Sequence, residues 1–143
     1  MPDWIVYSDG ASRGNPGLAG YGAYVINTRT GQAEELFGFL GVTTNNVAEY
    51  QGLLAGLRHA LAQGGGDVLI RADSQLMVRQ LEGRYQVRHP GLKPLYNEAR
   101  RLLNQFTAWR AEHVPRAENK EADRLANQGI DQRPSTVEKR QGR

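Results

Sequence analysis

Hydrophobic and polar positions change period several times along the chain, and each change marks an element. Trp4 to Tyr7 is β-branched and aromatic and runs into a turn-rich stretch, DGASRGNPGLAG, which predicts a short first strand. Tyr21 to Asn27 and Glu35 to Gly41 read as two further strands, joined through the hairpin turn TRTG. The period then becomes helical. Tyr50, Leu53, Leu54, Leu57 and Leu61 line one stripe and predict an amphipathic helix from about Asn46 to Gln63, ended by the glycines at 64–66. Val68 to Ala72 has the run of a buried strand, and Ser74 is placed to cap a helix reaching about Glu82. After the Gly/Pro-punctuated loop GRYQVRHPGLKP come a helix from about Pro94 to Asn104, a strand from Thr107 to Val114 and a helix from Lys120 to Gln128. The order βββαβααβα predicts a mixed α/β domain: one sheet whose first three strands form an antiparallel meander, with helices packed on it.

Length and composition narrow this picture. A chain of 143 residues fits a single domain, placed here at 1–130, followed by a basic tail at 131–143 that reads as disordered because its last ten residues have no periodicity. The absence of cysteine excludes disulfide scaffolds, thiolate zinc sites and cysteine nucleophiles. No apolar run approaches the ~18 residues of a membrane span and the start lacks a signal-peptide pattern, so the expectation is a soluble, cytoplasmic protein with no membrane partner. The net charge of +3 points to an anionic partner, but residues 134–143 alone hold three basic groups against one acid. More telling is the interior stretch 71–101, with seven Lys/Arg against three acids.

Four carboxylates stand out by position. Asp9 follows the first strand, Glu49 shares the apolar stripe of the long helix, Asp73 ends the VLIRA strand and Asp123 lies inside the last helix. Taken singly they fit a turn former, a group favoured by the helix dipole, a cap and a solvated face. Taken together they come from elements that can converge at one end of a sheet, where clustered carboxylates repel unless cations are bound. Oxygen-only ligation favours Mg²⁺, with Mn²⁺ as the substitute, and a pair of such ions suits phosphodiester hydrolysis. The amides Asn15, Asn45, Asn46 and Gln75 lie close in sequence to these acids and can both donate to and accept from a ribose 2′-OH.

These motifs resemble those of type 1 ribonuclease H. DGASRGNPGLAGYGA, TTNNVAEYQGLLAGL, IRADSQLMVRQLEG and RAENKEADRLAN are similar, in order, to the family's first-strand, first-helix, fourth-strand and last-helix motifs, over about residues 4–129. The resemblance implies a ribonuclease H-like fold, a five-stranded mixed sheet with helices on both faces. It also implies an endoribonuclease that uses two Mg²⁺ ions to cut the RNA strand of RNA/DNA hybrids. By the same resemblance Asp9, Glu49, Asp73 and Asp123 are the catalytic metal-binding carboxylates, Ser12, Asn15, Asn45, Asn46 and Gln75 contact substrate, and Thr44 contacts phosphate. A non-catalytic module binding hybrids or double-stranded RNA is the alternative, and a monomer is the expected state.

Two departures qualify the likeness. The loop HVPRAEN is short and lacks the histidine many bacterial members carry before the last helix. His113 falls in the preceding strand, where a structural role is expected, and Arg116 or Glu118 is left to take over the loop role. GRYQVRHPGLKPLY is too short for the family's basic protrusion, and Arg79, Arg84, Arg88, Lys93, Arg100 and Arg101 are the expected smaller phosphate-binding surface.

Overall fold

A computed structural model describes residues 1–133, so of the disordered tail expected at 131–143 all but the first three residues fall outside the described residues, and Asp131 belongs to the last helix instead. Its five strands are β1 (Trp4–Arg13), β2 (Gly17–Asn27), β3 (Ala33–Thr43), β4 (Asp67–Ala72) and β5 (Ala108–His113). They form one sheet in the order β3-β2-β1-β4-β5. The β1–β2 and β2–β3 pairs are antiparallel, whereas β4 runs parallel to both β1 and β5. The helices are α1 (Asn45–Ala62), α2 (Gln75–Leu81), α3 (Lys93–Leu103) and α4 (Lys120–Asp131), with a 3₁₀ turn at Arg116–Glu118.

The first strand is longer than its sequence suggests. DGASR has turn-forming composition, yet β1 continues through it because β2 pairs with it along its whole length, from Trp4 opposite Asn27 to Arg13 opposite Leu18. Tertiary pairing overrides local propensity here. On its other side β1 pairs with β4 only as far as Ser8, opposite Ala72. Asp9 is therefore the first residue of β1 beyond its parallel neighbour, at the carboxyl end of β4, where α/β sheets commonly bind ligands.

Packing of α1 and α4 against the sheet fixes what surrounds that point. Leu53, Leu54 and Leu57 of α1 are buried against a core that includes Val6, Val25 and Ile70. The start of α1 lies so close to β1 that a Cβ on Gly10 would fall on the backbone of Ala48 and Glu49. Farther along α1, a Cβ on Gly52 would sit 2.5 Å from the Asp9 carbonyl oxygen. α4 packs mainly on β2, β1 and β3, and Cβ atoms on Gly20 and Gly22 would meet its Ala126 and Ala122 carbonyls. This helix extends to Asp131, past the expected Gln128 and the expected domain edge at 130, because Ile130 is fully buried.

Gly10→Ala should therefore lower stability by about 1–3 kcal/mol, the usual cost of overpacking a tight contact. Urea unfolding checks this, and an unchanged midpoint would contradict the close approach of α1 to β1.

Candidate active site

Local capping brings the chain ends of several elements to one cleft. Thr44 caps α1 by accepting from the Val47 N–H at 3.3 Å, and Ser74 caps α2 by accepting from the Met77 N–H at 3.2 Å. Those two caps start helices that share one core, and Glu49, in the second turn of α1, and Asp73, just after β4, come together with Asp9. Ligand oxygens of Asp9, Glu49 and Asp73 lie within 4.8 Å of one another. The cleft around them is about 420 Å³ and is also lined by Ser12, Arg13, Asn45, Arg116 and Asn127.

Asp123 stands at the edge of this group rather than inside the tight triad. Its Oδ1 accepts from the Arg116 guanidinium at 3.3 Å, and its side chain is about a third exposed (33%). It is still close enough to raise the pKa of Asp9. Arg116 therefore leans over the carboxylates with its positive charge, and Asp123, Asp9 and Asp73 all favour that charge. Glu118 is not brought to the cleft. A 3₁₀ turn advances about 120° per residue, so two positions after Arg116 the side chain points elsewhere. It lines a separate groove with Tyr7, Tyr24 and Lys120. His113 ends β5 exposed, not packed as a structural residue would be.

The electrostatics of the triad are unfavourable for a cation-free protein. Asp9 is only 6% exposed. Burial, followed by the Asp73 carboxylate and more weakly by Asp123 and Glu49, pushes its pKa from 3.8 up to about 8. The Gly10 N–H, donating to Asp9 Oδ1 at 2.8 Å, pulls the other way. Glu49 rises from 4.5 to about 7, mainly through burial and then through Asp73, against the Ser74 hydroxyl. A buried carboxyl and a half-buried one whose ionisation is disfavoured, beside a third, need a positive charge between them. All the donors are oxygen, a set that fits a hard divalent cation.

The polar residues expected to touch substrate are distributed around the rim. Ser12 Oγ donates to the Thr43 carbonyl at 2.8 Å, and Asn15 Oδ1 accepts from the Asn45 N–H at 3.0 Å. Asn46 and Gln75, the first residue of α2, are exposed. Of the expected basic surface, Arg100 and Arg101 are not available. Arg100 donates to the Leu81 carbonyl at 2.8 Å and stacks 5.3 Å over the Trp109 ring, and Arg101 makes two 2.7 Å bonds to Glu98.

Sequence reasoning passed over Asn119. It is 1% exposed, and its Nδ2 donates to the Ser8 carbonyl at 3.0 Å, tying the start of α4 to β1 one residue before Asp9. Its place in the ENKEAD stretch, beside a helix start, was the available signal. The Tyr50–Gln80 pair was equally silent: the buried Tyr50 hydroxyl donates to Gln80 Oε1 at 2.7 Å and joins α1 to α2.

Comparison with known proteins places this arrangement. A family model described as "Reverse transcriptase-like" matches residues 7–129. The crystal structure of RNase H1 from the halophilic archaeon Halobacterium salinarum superposes with a TM-score of 0.84 at 43% identity, covering 90% of this chain and 97% of that one. This chain belongs to the ribonuclease H family. LC11-RNase H1, solved in complex with RNA/DNA hybrid, matches this ribonuclease H domain with a TM-score of 0.82 at 36% identity, over 90% of this chain and 96% of that one. Among curated proteins, the bifunctional protein Rv2228c of Mycobacterium tuberculosis is 48% identical over 129 residues, which is 89% of this chain and 35% of that protein. The chain thus spans about a third of the length of that relative. The five-stranded mixed sheet with helices on it is the ribonuclease H fold, as the sequence motifs led one to expect. No helix among the described residues is long and apolar enough to cross a membrane.

Proposed function

We propose that this ribonuclease H domain is an endoribonuclease that hydrolyses the RNA strand of RNA/DNA hybrids with two divalent cations, Mg²⁺ or Mn²⁺. The convergence of Asp9, Glu49 and Asp73 in a polar cleft carries the reading. Relatives named ribonuclease H, and one solved with a hybrid bound, support it. Asp9, the most enclosed of the four, would serve as a ligand for both ions. Glu49 and Asp73 would hold one ion, and Asp123 would complete the other site on exchanging its Arg116 partner for it. Such ions, when bound, activate a water and stabilise the leaving oxygen of a phosphodiester.

The protein's own groups bind and orient the strand. Ser12 Oγ spends its hydrogen on Thr43, so towards a ribose hydroxyl it is an acceptor. Thr44 Oγ1 accepts from Val47 and keeps its hydrogen to donate to a phosphate oxygen. Asn15 keeps both Nδ2 donors, because only its Oδ1 is engaged. Together with Asn45, Asn46 and Gln75 these groups favour a strand with 2′-hydroxyls. Arg116, rather than Glu118, takes the loop role, because it is the one whose charge faces the carboxylates. A monomer working in the cytoplasm is the form we propose, checked by sedimentation and cell fractionation.

A binding module without catalysis is disfavoured, since clustered carboxylates only weaken contact with phosphates. Labelled RNA/DNA hybrid, RNA duplex and DNA duplex, each incubated with Mg²⁺, Mn²⁺ or EDTA, separate the readings. Hybrid should be cut with either ion and left intact in EDTA. Intact hybrid under every ion would favour the binding module, and cleavage of the RNA duplex would widen the substrate class.

A further inference from the structure

The last helix meets the sheet mostly through close apolar contact, and polar ties between α4 and β1 are few. Among the described residues, Arg13 reaches Asn127 and Asp131 towards the far end of α4, and both links are exposed to solvent. The tie at the start of the helix is buried. Asn119 Nδ2 donates to the Ser8 carbonyl at 3.0 Å, and both residues are 1% exposed.

Two observations separate this amide from an ordinary helix cap. Asparagine before a helix usually accepts from an N–H of the first turn, yet α4 has no side-chain cap bond. Asn119 Oδ1 is also buried without a hydrogen-bond partner among the described residues, which costs stability. What the side chain does supply is a directional bond to the main chain of β1, one residue before Asp9.

Its backbone reaches the other side of the cleft. The Asn119 N–H donates to the Arg116 carbonyl, and the Asn119 carbonyl accepts from the Asp123 N–H, each at 3.0 Å. Asp123 is thus one helical turn from the tie. The close approach of α4 to Gly20 and Gly22 sets the height of the helix above the sheet. Apolar contact is non-directional, however, and fixes the position of a helix along its own axis poorly. The Asn119 bond fixes that coordinate.

We propose that Asn119 is a positioning residue for the reaction: its side-chain bond to Ser8 sets the spacing of Asp123 from Asp9. The inference rests on the two-cation reading proposed for the cleft. Asp123 can complete an ion site with Asp9 only if α4 starts at the right place along β1. A misplacement of about 1 Å can cost on the order of a hundredfold in rate. Groups that hold metal ligands in place typically govern affinity or activity by roughly 10–100-fold.

Asn119→Leu in the whole chain keeps the branched shape and removes the tie. With saturating Mg²⁺, kcat on labelled hybrid should fall about 30-fold. KM should stay within about twofold, because Ser12, Asn15 and Asn45 lie outside α4. Mn²⁺ titrated into the metal-free protein, followed by electron paramagnetic resonance, should bind about tenfold more weakly. Asn119→Ala, which leaves a cavity instead, should show the same two losses. Trp4→Phe is the control. It removes the buried bond from Nε1 to the Gly65 carbonyl at the opposite end of β1, so it should lower the melting temperature but leave kcat and Mn²⁺ binding unchanged. Thermal melts confirm that each variant is folded at the assay temperature. Wild-type kcat in Asn119→Leu, a loss confined to KM, or a lower kcat with unchanged Mn²⁺ binding overturns the positioning role. A wild-type protein that never cuts hybrid would sink the catalytic reading instead. Weaker Mn²⁺ binding in Asn119→Leu would then still uphold the positioning role, and unchanged binding would end it.

Discussion

Asp9→Asn should reduce hybrid cleavage roughly 10³-fold or more while leaving hybrid binding intact or tighter. The substitution keeps the shape and the acceptor oxygen that meets the Gly10 N–H, so the fold has no reason to change. What it removes is the charge at the centre of the cluster, where Glu49 and Asp73 both converge. A cation held by three carboxylates then meets only two. The same change takes a negative charge away from the surface that faces phosphates, which favours binding. Single-turnover cleavage and fluorescence anisotropy on the same hybrid read the two effects separately. Near-normal turnover would refute the role given to Asp9, and loss of both together would mean that the variant is misfolded or that Asp9 serves binding.

The second large effect concerns stability in EDTA. Asp9 rises from 3.8 to about 8 and Glu49 from 4.5 to about 7 in the folded protein. Between those limits the folded state holds more protons than the unfolded chain, so stability must fall as pH increases. Their contribution is fully present below about pH 4 and lost above about pH 8, by an amount on the order of a few kcal/mol. Other carboxylates act oppositely at the acid end: Glu98, bonded to Arg101 and Arg58, is held down to about 2. The metal-free protein should therefore melt several degrees higher near pH 5.5 than near pH 9. Millimolar Mg²⁺ should recover much of the loss at pH 9, because a ligand of the folded state alone stabilises it by mass action. Asp9→Asn should flatten the slope and raise the EDTA melting temperature at pH 9. A metal-free melting temperature that climbs steadily from pH 5.5 to 9 would contradict the clustering.

Much of this was readable from the sequence, for identifiable reasons. The stripe of Leu53, Leu54 and Leu57 located α1, and its caps lie in short-range chemistry that composition reveals. Asp9, Glu49 and Asp73 were legible because each sits where a carboxylate is awkward alone, and only joint placement relieves the awkwardness. Pairing across the sheet was not legible. DGASR has the composition of a turn and becomes strand because β2 lies beside it. The fates of Arg100 and Arg101 depend on Trp109, Leu81 and Glu98, neighbours that spacing along the chain did not single out. Asn119 hid for the same reason, since its partner Ser8 lies 111 positions away.

The missing side chains at Gly10, Gly22 and Gly52 have a last consequence. With nothing but main chain between sheet and helices at these points, the elements bearing Glu49 and Asp123 have no cushion of rotatable groups beneath them. Any movement of Glu49 or Asp123 relative to Asp9 would have to shift main chain against main chain.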